Sequence, residues 1–413
     1  MPRQFPVAMI FGAMRSVFFA LILIVGSTAL VLGHIYVYRR LVRDAKLRPV
    51  VRRVGLGLII ALGALVPLGF IMPRLVSRAY LGWLTFLTFF WLGLLFYLVL
   101  FLGLSDLVRL VGRVRQVGQV GQVGQVGQVG QVGQVGLGRR VFLARVAASA
   151  SLVGSGVVTG LGVATAFGDF DTPEVPVKLG RLPPALSGFR IAVLSDLHLG
   201  PVLGKRFLQA AIEKTNSLKP DLVAITGDVV DLPVDLLADE VAVLRNLKSR
   251  YGTYFCTGNH EFIFGAGPWM DFFRSLGIQV LDNRHVPVGE PAGFDLAGVH
   301  DFRASVFDPE HRPDLEKALA GRDPDRELVL LAHQPKQIYS AAQAGVGLQI
   351  SGHTHGGQLF PFTFLTWLSQ PYISGLHRHN RHTQIYVTRG TGFWGPPMRV
   401  LAAPEITCIV LVA

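Results

Sequence analysis

The sequence predicts an N-terminal multispan α-helical membrane region followed by a C-terminal α/β domain. Three observations carry that reading. The first is composition. Half of the 413 residues are hydrophobic, only 16% are charged, and mean hydropathy is +0.44. Soluble globular chains carry roughly a quarter charged residues. The second is a change of pattern near residue 168, where long uncharged stretches give way to short β-branched runs alternating with amphipathic ones. The third is the distribution of charge. Residues 1–167 hold 17 Lys and Arg against 2 Asp and Glu, whereas residues 168–413 hold 22 against 25. The net charge of +12 therefore comes from loops between apolar segments. That is the pattern of membrane topology signals, and it argues against a nucleic-acid partner.

The first three spans are expected at residues 16–38, 54–72 and 80–104. The first has no Asp, Glu, Lys or Arg, only His34, and the other two have no charge at all. Each is close to the roughly 20 residues a helix needs to cross a bilayer, and helix is the way such a segment satisfies its own backbone. A fourth stretch, residues 146–167, is richer in Gly, Ala, Ser and Val. Arg139-Arg140-Val141-Phe142-Leu143 precedes it and resembles an internal twin-arginine export signal. The plainer reading is a basic flank on a fourth membrane helix. Arg39, Arg40, Arg43, Lys46, Arg48, Arg52 and Arg53 crowd the first loop, and Arg109, Arg113, Arg115, Arg139 and Arg140 follow the third span. Those loops are expected in the cytoplasm, which places residues 168–413 on the extracytoplasmic face. If the fourth stretch does not insert, that domain stays in the cytoplasm.

Gln-Val-Gly repeats seven times from Gln116 to Gly136. Glycine at that density opposes helix, so residues 116–138 are expected to form a flexible linker. Residues 168–186, polar and proline-bearing, read as a second linker. After them, strands are expected at 189–194, 221–226, 252–256, 294–299, 327–332, 348–350, 384–388 and 406–412, with helices at 205–218 and 236–247. Strands alternating with helices imply an α/β domain. The two cysteines, Cys256 and Cys408, form no metal motif. Cys256 lies on an expected strand and reads as core packing.

Nearly every polar cluster of this domain falls just after an expected strand, where ligand sites of α/β sheets collect. In order they are Asp196-Leu197-His198, Gly227-Asp228-Val229-Val230-Asp231, Gly258-Asn259-His260-Glu261, Ala332-His333-Gln334 and Gly352-His353-Thr354-His355-Gly356. Oxygen and imidazole ligands without thiolates suit Mn, Fe, Zn, Co or Ni. A pair of metals about 3.5–4 Å apart needs one bridging carboxylate and separate terminal ligands. Glycine before Asp228, Asn259 and His353 allows the tight turns that bring short side chains to one point.

D-x-H, G-D-x-x-D, G-N-H-E, a lone His and G-H-x-H in this order resemble the calcineurin-like metallophosphoesterases, over about residues 187–413. The run Ser351–Gln358, followed by Arg389-Gly390-Thr391-Gly392, is similar to the membrane-anchored branch, which includes exported bacterial phosphodiesterases. The resemblance implies a four-layer α/β/β/α sandwich and two divalent metal ions of unspecified identity, manganese among the candidates. It assigns Asp196, His198 and His355 to the first metal and Asn259, His333 and His353 to the second. Asp228 bridges them. It also implies that His260 faces the substrate and that Asp231 orients His260. The implied reaction is hydrolysis of a phosphodiester, phosphomonoester or pyrophosphate by in-line attack of a metal-bound hydroxide.

Some residues keep two readings. Glu261 is either a group behind the ligands or a surface residue. His300 and Asp301 follow a strand and are expected near the site. His377, His379 and His382 read as a solvated basic loop. The segment Leu359-Phe-Pro-Phe-Thr-Phe-Leu-Thr-Trp-Leu368 reads as part of the domain's own core. Its alternative is an apolar lip touching lipid or an acyl chain. The expected partners are accordingly a phosphoester substrate, lipid-linked under the lip reading, and the lipid bilayer. The competing function is a multispan membrane sensor whose soluble domain binds a phosphorylated ligand without turnover. A protein phosphatase is a third reading, disfavoured because Leu232-Pro233 follows Asp231 where those relatives carry Arg-Gly.

Overall fold

The computed structural model describes residues 7–71, 78–120, 132–289 and 293–413. Four long helices come first: α1 (Val7–Tyr38), α2 (Pro49–Ile71), α3 (Arg78–Val120) and α4 (Val132–Ala166). Three stretches among the described residues are long and apolar enough to cross a membrane: Pro49–Gly69, Leu81–Val111 and Gly138–Ala166. The expected first span falls within α1, where the side chains up to residue 20 lie outside the described residues. The Gln-Val-Gly repeat departs from expectation at both ends, because α3 runs to Val120 and α4 begins at Val132. Extending a long helix by one residue adds one hydrogen bond without a new nucleation step, which offsets the glycine penalty. Residues 121–131 lie outside the described residues.

The chain divides into two compact units. One comprises Met1–Ser77 and Leu87–Gly160. Its core is Val37, Val66, Trp91, Leu95, Leu98 and Leu102. Several polar groups among these helices are partnered, as low-dielectric surroundings favour. The Trp91 indole donates to His34 Nε2 at 2.9 Å, and Tyr36 and Arg40 donate to Asp106 at 2.7 and 2.9 Å.

The other unit comprises Arg78–Phe86 and Leu161–Ala413. Its chain order is β1 (Glu174–Lys178), β2 (Arg190–Leu194), α5 (Lys205–Ser217), β3 (Leu222–Ile225), α6 (Val234–Val241), β4 (Thr253–Phe255), α7 (Asn259–Phe264), α8 (Ala266–Ser275), β5 (Gln279–Val280), β6 (Arg284–Val288), β7 (Phe294–Gly298), α9 (Ala304–Phe307), α10 (Leu315–Leu319), β8 (Glu327–Leu331), α11 (Ile338–Gln343), β9 (Leu348–Ser351), α12 (Thr363–Ser369), β10 (Gly375–Arg378), β11 (Gln384–Val387) and β12 (Thr407–Val412). All eight expected strands are present.

One sheet has the order β1-β12-β2-β3-β4-β5 and the other β10-β11-β9-β8-β7-β6. The stretches β2-β3-β4-β5 and β11-β9-β8-β7 are parallel. Strands β3, β4, β7, β8 and β9 are buried on both faces, as parallel strands generally are. One face of the first sheet, with Val193, Ala224 and Ile409, meets Leu296, Val329 and Ile350 of the second. The opposite face, with Ala192, Val223 and Ile225, is covered by Leu208, Leu237 and Trp269 from α5, α6 and α8. Ala318 and Ala341 from α10 and α11 cover the outside of the second sheet. The result is the expected four layers, helix, sheet, sheet, helix.

The expected linker at 168–186 is corrected. Glu174–Lys178 forms β1, paired in register with Cys408–Val412 of β12, and Asp171 already bridges Glu405. Five residues with a proline at their centre are too short to show a period. The pairing comes from the edge of β12, which offers unpaired backbone groups.

Candidate active site and metal centre

The site lies past the C-terminal ends of β2, β3, β4, β8 and β9, which deliver Asp196, Asp228, Asn259, His333 and His353 in turn. Five of the expected ligands take a left-handed backbone: Asp196 (φ 52°), His198 (45°), Asp228 (53°), His353 (69°) and His355 (51°). Such conformations are costly for non-glycine residues and cluster where function over-determines them. The glycines beside them are needed for close approach. A side chain at Gly258 would strike the Asp228 carboxylate, and one at Gly352 would strike the Ser195 hydroxyl and Asp196.

Three groups of side chains converge, with ligand atoms within 4.8 Å of one another in each. They are Asp196, His198 and His355; Asp228, His333 and His353; and His198, Asp231 and His260. In the first, His198 Nε2 lies 3.1 Å from His355 Nε2, and His355 Nε2 lies 3.4 Å from Asp196 Oδ1. In the second, His333 Nε2 lies 3.1 Å from Asp228 Oδ2 and 3.2 Å from His353 Nδ1. Asp228 Oδ2 is also 3.9 Å from His198 Nε2, so its carboxylate stands between the two groups. Asn259 Oδ1 is buried and has no hydrogen-bond partner among the described residues. Facing imidazole nitrogens beside carboxylates, with an orphaned amide oxygen alongside, form a donor set that fits two divalent cations.

Hydrogen bonds aim these ligands. His333 Nδ1 donates to the Thr226 carbonyl at 2.7 Å, which leaves Nε2 pointing at Asp228. His198 Nδ1 donates to Asp231 at 2.9 Å. Such outer partners set the tautomer of a ligating histidine. Asp231 also accepts from His260 Nδ1 at 2.7 Å, so it orients a candidate ligand as well as His260. Burial opposes charge on Asp231, but His198 and His260 outweigh it and hold the carboxyl at about 2. Burial likewise opposes charge on His260, while Asp228 and Asp231 raise it to about 9. His353 is lowered to about 3 by burial and His333. His355 is pushed well down by burial and the Arg399 guanidinium. Both are therefore neutral, the form that ligates a metal.

Glu261 is fully buried. It accepts from the backbone N–H of Asp228 at 3.0 Å, Val229 at 2.7 Å and Gly258 at 2.6 Å. It is thus a clamp on the turn that presents Asp228, and the surface reading is set aside. Asp301 is buried and accepts from Gln334, the neighbour of His333. His300 pairs instead with Asp282 at 2.6 Å. His377 and His379 sit on and beside β10, against Ser374 and Tyr372, and join none of the three groups. Cys256 is in the core. The segment expected in the core is instead a surface helix: Phe364, Leu365, Trp367 and Leu368 of α12 are exposed.

Two residues escaped the sequence reading. Ser195 donates to Asp196 Oδ2 at 2.6 Å. Arg399, fully buried, donates to the carbonyls of Arg389 at 2.7 Å and His355 at 2.9 Å. The only signal for Arg399 was an arginine in an otherwise apolar run, Met398–Ala403.

The sequence profile of the calcineurin-like phosphoesterases matches residues 189–357. A transmembrane protein with metallophosphoesterase domain from Danio rerio is 43% identical over 246 residues, which cover 58% of this chain and 56% of that protein. Its counterpart from Bos taurus is 40% identical over 253 residues, 59% of this chain and 56% of that one. The chain thus spans a little over half the length of these two relatives. A Bacillus subtilis metallophosphoesterase is 30% identical over 251 residues, covering 58% of this chain and 85% of its own length. With five motifs in order, a four-layer fold and relatives of this similarity, the chain belongs to the calcineurin-like phosphoesterase family.

Proposed function

We propose that this chain is a membrane-anchored phosphodiesterase that uses two divalent cations. The observation that carries the reading is the pair of ligand groups on either side of Asp228, with His260 beside them. Asp196, His198 and His355 would hold one cation and Asn259, His333 and His353 the other, with Asp228 shared. Cations bound there would lower the pKa of water and neutralise phosphoryl oxygens. His260 Nδ1 donates to Asp231, and because, against burial, Asp228 and Asp231 raise its pKa to about 9, the ring is an imidazolium whose Nε2 also carries a proton to offer. That proton stabilises a phosphoryl oxygen and passes to the leaving oxygen as the nucleophile enters from the opposite side of phosphorus. The exposed apolar side chains of α12, which follows His355 closely, support a substrate attached to lipid or cell-envelope material. The basic loops support an extracytoplasmic domain.

The test is hydrolysis of aryl phosphate monoesters, diesters and pyrophosphates by the full chain in detergent, reloaded with Mn, Fe, Zn or Ni. Turnover that favours diesters is expected. A protein that binds two metals yet hydrolyses no ester would support the sensor instead.

A further inference from the structure

Helix α12 is a surface element with no buried residue. Leu368 is 82% exposed and Trp367 65% exposed. From Gly356 to Leu376 there is no Asp, Glu, Lys or Arg. An uncharged apolar surface of this kind marks an interaction site, and its surroundings identify the occupant.

The segment that leads into α12 is tied to the end of α4 through one intervening strip of backbone. The Arg399 amide donates to the Gly162 carbonyl at 2.8 Å. Gly162 belongs to the last turns of the membrane-capable stretch Gly138–Ala166. A Cβ on Gly162 would lie 2.8 Å from Val400 Cγ2 and 3.1 Å from Met398 Cβ, so the approach is close. On its other side the strip pairs with the segment before α12. The Val400 amide donates to the Gln358 carbonyl at 2.8 Å, and the Phe360 amide donates to the Val400 carbonyl at 3.2 Å. Leu401, next to that pairing, is also 82% exposed.

We propose that α12 and Leu401 form a second membrane contact, seated in the interfacial zone of the same leaflet at which α4 ends. A helix lying in that zone buries its apolar side chains roughly 5–10 Å into the boundary between headgroups and acyl chains. The partner is the lipid bilayer itself. The proposal rests on reading α4 as a membrane span, not on the chemistry of the substrate. Its consequence for the site is direct. Trp394 is exposed, and its ring lies 6.2 Å from that of His260. Its backbone carbonyl accepts from Gln358 at 2.8 Å. The side of the site at His260 is thereby joined to the lipid-facing rim, at headgroup level.

Both native cysteines are buried, so one introduced cysteine takes a thiol-reactive environment-sensitive fluorophore. The full chain carrying Leu368→Cys is labelled and placed in nanodiscs, with Arg381→Cys as the exposed control beyond β10. The Leu368 label is expected to emit at shorter wavelength and to be quenched several-fold more strongly by spin-labelled lipid than the control. Native Trp367 gives a second measurement: brominated lipid should quench wild type more than Trp367→Phe. A label quenched no more than the control overturns the proposal. So does shielding that disappears when one chain per disc is enforced, because a second copy would then be the occupant. No catalytic readout enters, so an embedded label in a protein without phosphodiesterase activity would sink the substrate reading and leave the membrane contact standing.

Discussion

Asp231 accepts hydrogen bonds from His198 and His260 with one oxygen, Oδ1. Replacing it therefore acts on a candidate ligand and a candidate acid together. Asp231→Asn removes a negative charge that favours the imidazolium form of His260. The His260 pKa should fall from about 9 toward the ordinary 6.5 or so, as read by NMR titration of the metal-free chain. An unchanged value would show that Asp228 alone sets it. His260→Ala should keep both metals and lower kcat by roughly 10²–10⁴-fold, the scale of a positioned acid or base. Wild-type kcat in that variant would remove His260 from the mechanism. Asp228→Asn should lose at least one metal equivalent by elemental analysis, because the amide lacks the charge that holds two cations together. Two full equivalents in the variant would refute bridging.

Helix α12 illustrates how far composition can mislead at the scale of an element. Its apolar residues are those of a core segment, yet leaving Phe364, Leu365, Trp367 and Leu368 in water forgoes roughly 1.5–3 kcal/mol per side chain. A soluble domain gains nothing from that arrangement; a surface that meets the bilayer, as proposed above, does. Phe364→Ser combined with Trp367→Ser should reduce turnover of a lipid-linked phosphodiester in micelles and leave a soluble aryl phosphodiester nearly unchanged. Equal loss on both substrates, with a lower Tm, would mean that these side chains support the fold instead. Strand β1 shows the opposite error. Its residues read as linker because a five-residue edge strand has little pattern of its own, and only the exposed edge of β12 gives it a place.

At the scale of the molecule, the sheet begins soon after the last apolar helix. Asp171 bridges Glu405, and Arg389 bonds Asp171 and Glu405 at 2.9 and 2.6 Å. A flexible linker over the whole of residues 168–186 is thereby excluded, and residues 167–170 remain between α4 and the first sheet bridge. The charge pattern of the loops predicts that protease added to intact spheroplasts cuts the domain. Complete protection until lysis would place it in the cytoplasm. Arg139→Lys with Arg140→Lys should mislocalise the chain if export uses the arginine pair, and unaltered localisation would leave α4 as an ordinary membrane helix.

The residues of the candidate site were legible in the sequence because its chemistry is local. Each motif is a strand end followed within five residues by one or two candidate ligands, three of the five with a glycine just before the ligand, and their order along the chain survives folding. The eight strands were legible because buried parallel strands need uninterrupted β-branched runs. What only the tertiary structure decided involves partners distant in sequence. Glu261 is a clamp because Asp228 and Val229, more than thirty residues earlier, turn their N–H groups toward it. Arg399 is buried because carbonyls from separate loops surround its guanidinium. Asp231 serves two histidines because β2 and β4 lie on either side of β3. The exposure of α12 follows from packing, since the same residues would suit a core or a membrane and only their neighbours select between them.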